Sequence, residues 1–184
     1  MMNPVDRLHQ HFESVATGMA DLPVSNPVLA VECFGFQAWA ERQIGVLITP
    51  WCMNLILLPG PGDHWAEWEE SQIGRKLMLA LPSGQYEWIY NRSDNTGGYL
   101  SCSLFSPMNM FSEQAIAVET AEEVMRAVFD TANESLTDRQ QAVREQTAQA
   151  ASEQETVEVQ EEEKSPATLS RRGFLTAGFA RTEE

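Results

Sequence analysis

The stretch that decides the fold is GVLITPWCMNLILLPG, residues 45–60. Two apolar runs of strand length, residues 43–48 and 53–58, flank a Thr-Pro-Trp-Cys interruption, and a Pro-Gly pair follows the second run. Short apolar runs that end at proline, glycine or asparagine are typical of strands in a buried sheet. The interruptions at Pro50 and Asn54 leave no apolar run long enough to cross a bilayer. We therefore predict two neighbouring strands in the core of a sheet.

Further strands and two helices are predicted on both sides of this stretch. Apolar residues at helical spacing predict an amphipathic helix over residues 4–20 and a second helix over residues 112–133. Short β-favouring runs predict six strands in all, over residues 28–36, 43–48, 53–58, 76–81, 85–90 and 99–106. A Pro-Ser-Gly link at residues 82–84 indicates a hairpin. We predict an α+β fold: a single, mainly antiparallel sheet of five to six strands flanked by an N-terminal and a C-terminal helix.

The composition changes after the second helix. Residues 133–164 hold nine acidic and three basic residues, a net charge of −6, and contain no aromatic residue. Acidic segments that lack large apolar residues are typical of disorder, because they cannot bury enough apolar surface to fold. We predict a folded domain over residues 1–135, an acidic flexible linker over residues 136–169, and a tail with a basic motif over residues 170–184.

Charge and cysteine content narrow the functional classes. The chain of 184 residues carries a formal net charge of −15. Nucleic acids and anionic membranes both attract basic surfaces, so neither is a favoured partner. The amino terminus lacks the apolar core of a signal peptide, and the three cysteines do not form a paired disulfide framework. We expect a cytoplasmic protein with reduced thiols.

Motifs for catalysis and metal binding are absent from the sequence. It contains no phosphate-binding glycine loop, no nucleophile elbow and no zinc-protease helix motif. His9 and His11 are two residues apart, so we expect them to point to different sides of the first helix. Cys52 and Cys102 could meet across the sheet, but two ligands do not complete a metal site. We predict no enzyme activity, no metal and no cofactor, and we favour burial for the cysteines.

Two tryptophans occur in a long polar insertion, residues 59–74. Trp65 and Trp68 lie there with Asp63 and Glu67. Indole rings beside carboxylates would bind a peptide that carries arginine, by stacking and by paired hydrogen bonds. The same rings could instead close the core under the loop, and both interpretations stay open. Packing roles are favoured for two other tryptophans, Trp39 and Trp88.

Five short motifs follow one another between residues 26 and 108. They are NPxL at 26–29, ITPW at 48–51, NLILLPG at 54–60, LPxG at 81–84 and YLSCSLxSPM at 99–108. Together, over about residues 4–136, they resemble the HybE/HupJ family of nickel–iron hydrogenase assembly chaperones. The resemblance implies a cytoplasmic, non-enzymatic protein that binds hydrogenase precursors and delays export until the subunits are mature. The implied partners are the small subunit, whose precursor carries a twin-arginine signal, and possibly the large subunit. Some relatives are fused to rubredoxin, but this chain lacks paired Cys-x-x-Cys units, so no iron is implied.

A twin-arginine signal is cationic at its start and apolar after it. A receptor for it should offer carboxylates beside an apolar or aromatic groove. We expect the partner-binding surface to consist of two halves: Thr49, Pro50 and Trp51 in one, and Pro59, Gly60, Asp63, Trp65, Glu67 and Trp68 in the other.

The tail carries a motif of its own. Residues 170–175 read SRRGFL, and Arg171, Arg172 and Phe174 resemble the twin-arginine motif. The motif lies at the wrong end of the chain for an export signal, and its apolar run is short. Three interpretations stay open: a mimic of the client that occupies its groove, a solvated tail, or an amphipathic stub.

Two other functional classes also stay open. A small electron carrier or thiol redox protein in hydrogenase maturation would require a metal or a reactive cysteine. A structural subunit of the finished hydrogenase would copurify with the mature enzyme in a fixed ratio. The leading hypothesis is a chaperone that acts before export.

Overall fold

The computed structural model describes residues 2–133, which form two helices and six strands. In chain order these are α1 (Pro4–Met19), β1 (Glu32–Trp39), β2 (Arg42–Ile48), β3 (Met53–Leu58), β4 (Lys76–Leu81), β5 (Gly84–Ser93), β6 (Gly97–Phe105) and α2 (Gln114–Phe129). Short 3-10 helices lie at His64–Glu67, Glu70–Gln72 and Thr131–Asn133. Within this part of the chain, no helix is long and apolar enough to cross a membrane. The predicted linker and tail, residues 136–184, lie outside the described residues.

The predicted α+β class is confirmed. The strands form one antiparallel sheet in the order β1-β2-β3-β6-β5-β4, with a helix before it and a helix after it. The predicted hairpin joins β4 to β5, where Leu81 pairs with Gly84. β3 is central, and its side chains alternate between the two faces. Leu55 and Leu57 enter one buried cluster, whereas Ile56 and Leu58 enter another.

Several element boundaries differ from the predictions, and the starts of β1 and α2 are linked by one side chain. β1 begins at Glu32 rather than at residue 28, and α2 begins at Gln114 rather than at residue 112. The Gln114 side chain accepts a hydrogen bond from the Ala30 N–H at 3.0 Å and donates one to the Glu32 carboxylate at 2.8 Å. Gln114 therefore links the starts of two elements that are more than eighty positions apart, and a turn in which the Leu29 N–H donates to the Asn26 carbonyl precedes β1.

One face of the sheet is covered by α2 and by the connecting loops. The buried residues of α2 recur at helical spacing and belong to the main buried cluster, which includes apolar side chains from all six strands. They are Ala117, Ala121, Met125 and Val128. Trp88 is fully buried in the same core and Trp39 packs edge-on against Phe129, so both predicted packing roles are confirmed.

The opposite face is covered by α1 over β1, β2 and β3. Leu8 is fully buried there among residues that include Leu47 and Ile56. Gly45 lies beneath Phe36, and a Cβ atom at this position would stand only 2.4 Å from the phenyl ring. Glycine is therefore required at residue 45 for the ring to lie on β2.

Asn26 ties the loop after α1 to the loop before α2. Its side-chain amide donates to the carbonyls of Met108 and Phe111 at 3.0 and 2.8 Å, and its Oδ1 accepts from the Val28 N–H at 3.2 Å. Its own N–H donates to the Pro50 carbonyl at 2.8 Å. Since Asn26 is buried, these groups have little access to water, and the side chain and the main-chain N–H of Asn26 together link three loops.

The long loop between β3 and β4 is anchored by one ion pair. Arg42 donates from Nε to Asp63 at 2.7 Å, and its Nη2 contacts the second carboxylate oxygen. The Gly60 N–H donates to Asp63 at 2.8 Å. Burial alone would raise the pKa of Asp63, but the hydrogen bonds from Arg42 and Gly60 outweigh it and hold the pKa below its ordinary value.

Replacing Asn26 with alanine should lower the free energy of unfolding by about 3 kcal/mol, because buried carbonyls lose their donors. Denaturant unfolding of the purified protein would measure the loss. The control is Asn109→Ala at an exposed position nearby, which should change stability by less than about 0.5 kcal/mol. Equal stability of the two variants would contradict the proposed role of Asn26.

Replacing Asp63 with asparagine should reduce stability at pH 7 by about 1–2 kcal/mol, because the charged hydrogen bonds are weakened. The folded-state pKa of Asp63 is lowered, so its contribution is present above the ordinary carboxyl pKa and is lost as pH falls through the folded pKa. The difference from wild type should therefore shrink below about pH 4. Asp94→Asn, at an exposed turn, is the charge-matched control. A difference that is constant with pH would refute the assignment.

Candidate functional site

The turn between β2 and β3 is organised by the hydroxyl group of Thr49. This buried side chain donates to the Cys52 carbonyl at 2.8 Å and accepts from the Cys52 N–H at 3.0 Å. Pro50 follows it, and its fixed φ suits the second position of a turn. The turn holds the ring of Trp51 against α1, where the ring centroids of Trp51 and Phe12 are 6.5 Å apart.

An open groove of about 330 Å³ lies between α1 and the sheet. α1 supplies one wall, with His11, Phe12, Val15 and Met19. The turn and three strands supply the rest, with Trp51, Cys52, Asn54, Ile56, Asn91, Tyr99 and Ser101. A cleft of this size accommodates a small molecule or a few side chains of a peptide.

The groove combines an aromatic wall with a polar floor. The Phe12 ring lies 6.5 Å, centroid to centroid, from both Trp51 and Tyr99. On the floor, the Asn91 amide donates to the Ser101 hydroxyl at 2.8 Å. The lining therefore offers apolar surface together with amide and hydroxyl groups that can satisfy a peptide backbone.

The two loop tryptophans have different environments. Trp65 is 6% exposed and belongs to the main core, so the packing interpretation holds for it and the surface interpretation does not. The Trp68 ring is half-buried and packs edge-on against Tyr90. The guanidinium of Arg75 lies 4.5 Å from its centroid. Trp68 does stack on an arginine, but that arginine belongs to the chain itself, and a client arginine would have to displace it.

The other loop residues of the expected site are only partly available. Asp63 is engaged by Arg42, which corrects the expectation that its carboxylate is free for a client. Pro59 and Glu67 are exposed, whereas Gly60 is half-buried. None of the ion pairs found among residues 2–133 includes Glu67.

The two expected halves of the binding surface do not meet. Residues 49–51 precede the first residue of β3, and Pro59 follows its last residue. A six-residue strand is about 20 Å long, so the halves lie at opposite ends of the sheet. The two halves therefore do not line one groove, and the role of these residues in partner binding stays a prediction. Residues 49–51 instead share a groove with α1 and β6.

The cysteines remain apart and protonated. Cys102 packs against the main core on the α2 face, whereas Cys52 lines the groove on the α1 face, so the expected approach across the sheet does not occur. Burial raises the pKa of both thiols, and it raises that of Cys33 to about 12 with the help of Asp6 and Glu32. Residues 2–133 contain no cluster of three or more His, Cys, Asp or Glu side chains placed to hold a metal ion.

Sequence reasoning missed most of the groove. His9 and His11 do point to different sides of α1: His9 contacts the Val31 carbonyl at 3.2 Å, and His11 lines the groove. The alternation of side chains along β6 could have identified one more groove residue, Tyr99. Because Leu100 and Cys102 face α2, Tyr99 must face the other helix.

The tail motif cannot be assigned a place. Arg171, Arg172 and Phe174 lie outside the described residues. The three interpretations of this motif stay predictions.

Comparisons with known proteins identify the family. The sequence profile described as "[NiFe]-hydrogenase assembly, chaperone, HybE" matches residues 3–177, which extends past the 4–136 span of the motifs. The chain is 45% identical over 129 residues to the hydrogenase expression/formation protein HupT of Azotobacter chroococcum. The aligned region covers 70% of this chain and 83% of that protein.

Two further comparisons bear on fold and length. The chain is 42% identical over 126 residues to the probable rubredoxin HupJ of Rhodobacter capsulatus, covering 68% of this chain but only 44% of that protein. The solution structure of HybE from Escherichia coli superposes with a TM-score of 0.54 at 27% identity, over 69% of this chain and 77% of that one. The chain belongs to the HybE family of chaperones that act in nickel–iron hydrogenase assembly.

Proposed function

We propose that this chaperone binds the small-subunit precursor of a nickel–iron hydrogenase in the cytoplasm, through its twin-arginine signal, and delays export until the subunit is mature. The large subunit is a second candidate client. The observation that supports this assignment is the groove between α1 and the sheet. Two family-like motifs, ITPW and YLSCSLxSPM, are far apart in sequence and converge there through Trp51 and Tyr99.

The groove suits the apolar part of such a signal. Phe12, Trp51 and Tyr99 present rigid aromatic surface, and burying one large aliphatic side chain against them contributes about 1.5–3 kcal/mol. Asn91 and Ser101 supply donors and acceptors for the backbone that accompanies that side chain. A mixed lining favours a peptide over a plain hydrocarbon, because peptide groups need hydrogen-bond partners when they leave water.

Charge favours a client with basic residues. The net charge of −15 attracts cationic segments over long range. Glu67, Glu69 and Glu70 are exposed in the loop after β3, and none takes part in an ion pair among the described residues. Since this loop lies about 20 Å from the turn at residues 49–51, a client that contacts both regions must be extended between them.

A thiol redox function gains no support from the cysteines. Nucleophilic attack requires the thiolate, and burial raises the pKa of all three thiols. The only cysteine in the groove, among the described residues, is Cys52. Its thiol contacts the Thr49 hydroxyl at 3.3 Å and accepts from the Asn54 amide at 3.4 Å, which are the contacts of a packed wall residue.

Replacing Trp51 with alanine should weaken binding of the small-subunit precursor by about 10- to 30-fold, because an aromatic anchor is removed from the groove. Ser101→Phe, which fills the groove and keeps Trp51, should have a similar effect. Affinity would be measured with purified precursor, and thermal unfolding would show that each variant is folded.

The matched control is Met110→Ala, which removes an exposed apolar side chain outside the groove. It should bind precursor like the wild type. If both groove variants are folded and retain wild-type affinity, the groove is not the client site.

A further inference from the structure

The strand β4 has no partner strand on its outer side among residues 2–133. It is the outermost strand of the sheet, and within residues 2–133 it pairs only with β5. The N–H of Tyr90 on β5 donates to the Arg75 carbonyl, and the Tyr90 carbonyl accepts from the Gly74 N–H. Tyr90 therefore directs both of its backbone groups towards the β4 side.

The two backbone hydrogen bonds of Tyr90 determine which backbone groups of β4 point away from the sheet. Bonding alternates along an antiparallel ladder, so every second residue of β4 bonds to β5. Leu77 and Leu79 are the bonded residues, because they pair with Trp88 and Tyr86, which are in phase with Tyr90. The N–H and carbonyl groups of the alternate residues point away from the sheet. These are Lys76, Met78 and Ala80.

The edge strand β1 is protected against pairing with a further strand, whereas β4 has no such protection among residues 2–133. β1 carries a register shift between Phe34 and Gln37, with Gly35 at a φ of 63° inside it. Such bulges twist an edge away from further pairing. β4 keeps an unbroken register over its whole length and contains no proline. A regular, unblocked edge of this kind is a template for an added strand.

The side chains of β4 define what an added strand must look like. Leu77 and Leu79 are half-buried at the rim of the main core. Met78 points to the opposite face and is 59% exposed. A strand beside β4 would meet apolar side chains on both of its faces, so its own side chains must be apolar on both faces as well.

The surroundings of β4 connect it to the client groove and to the free carboxylates. On the α1 face, Asn91 of β5 lines the groove, and β4 lies next to β5. At the start of β4, the 3-10 helix Glu70–Gln72 places Glu70 within a few residues of Lys76. Arg75 lies nearby over Trp68, and Lys76 is paired with Glu87, so the exposed glutamates of the loop remain available to basic residues.

We infer that β4 binds an extended apolar segment of the hydrogenase precursor, flanked by basic residues, as a seventh strand of the sheet. The inference rests on the proposed function, because the client is the same. It adds a second contact region and a mode of recognition: backbone hydrogen bonds to Lys76, Met78 and Ala80 hold the segment, and the apolar rim of β4 selects it.

The first test replaces Met78 with proline in the full chain. The Met78 N–H faces outwards, so proline removes a donor for the added strand and leaves the β4–β5 ladder intact. Binding of a labelled synthetic peptide with the sequence of the precursor's twin-arginine segment should weaken at least tenfold. Met78→Thr keeps the N–H and is the matched control, and it should lose less affinity. Unchanged thermal unfolding would show that both variants are folded.

The second test alters only the peptide. Two versions are N-methylated at alternate residues in opposite registers, so that the methyl groups face β4 in one and solvent in the other. Strand addition predicts at least a tenfold difference in affinity between them, and equal affinities overturn it. If Trp51→Ala abolishes binding of the unmodified peptide while Met78→Pro binds like wild type, strand addition fails and the groove function stands. If wild-type protein does not bind the peptide, both proposals fail.

Discussion

The width of the sheet exceeds what two helices can cover, and the functional surfaces follow from this mismatch. Six strands spaced about 4.8 Å apart place the outer strands about 24 Å apart, whereas a helix is only about 10 Å wide. On the α2 face, Trp65 from the long loop and Phe111 from the segment before α2 complete the cover. On the other face, α1 lies over β1, β2 and β3. The groove forms where α1 stops and the floor of β6 and β5 continues.

The uncovered half of that face is compatible with water because of its composition. Side chains that alternate with the core residues of β5 and β6 include Asn91, Ser101 and Ser103, which hydrogen-bond readily to solvent or to each other. The pair Lys76–Glu87 bridges β4 and β5 on the same side. Met78 departs from this pattern, since an exposed apolar side chain gains nothing from facing water. The departure occurs on β4, an edge strand whose outer backbone groups have no partner strand among residues 2–133, and an added strand would account for both features.

The fold was predictable where it depends on neighbouring residues, and the site was less so because it depends on residues that are distant in the sequence. β3 and β4 were predicted to the residue, because alternating apolar runs bounded by turn residues are local signals. The predicted start of β1 was wrong by four positions, because residues 26–29 form a turn that is held by hydrogen bonds to Asn26. The groove was not predictable as a whole. It requires knowing that α1 lies beside β6 rather than beside β4, and nothing in either segment alone specifies this order.

The long loop shows why residue types alone misassign a site. Tryptophan, carboxylate and arginine are the groups expected at a surface that binds a basic peptide, and the chain supplies all three from within. Arg42 occupies Asp63, and Arg75 occupies the face of Trp68. Each contact is made within the chain and needs no client, so a client would have to displace the arginine to reach the group. The exposed carboxylates of Glu67, Glu69 and Glu70 form no ion pair among the described residues, and this is why they are the proposed contacts for the basic part of a client.

If the chaperone delays export as proposed, it must also release its client, and the shape of the proposed binding surface fits that requirement. A groove of about 330 Å³ holds only a few side chains, each worth about 1.5–3 kcal/mol when buried, and ordering the peptide offsets much of this gain. One region alone would bind weakly. Two regions linked by the same client bind with the advantage of high effective concentration, yet each can be vacated separately. On the proposed model, the groove binds side chains and the edge of β4 binds backbone, so the two together would retain the client and still let it go.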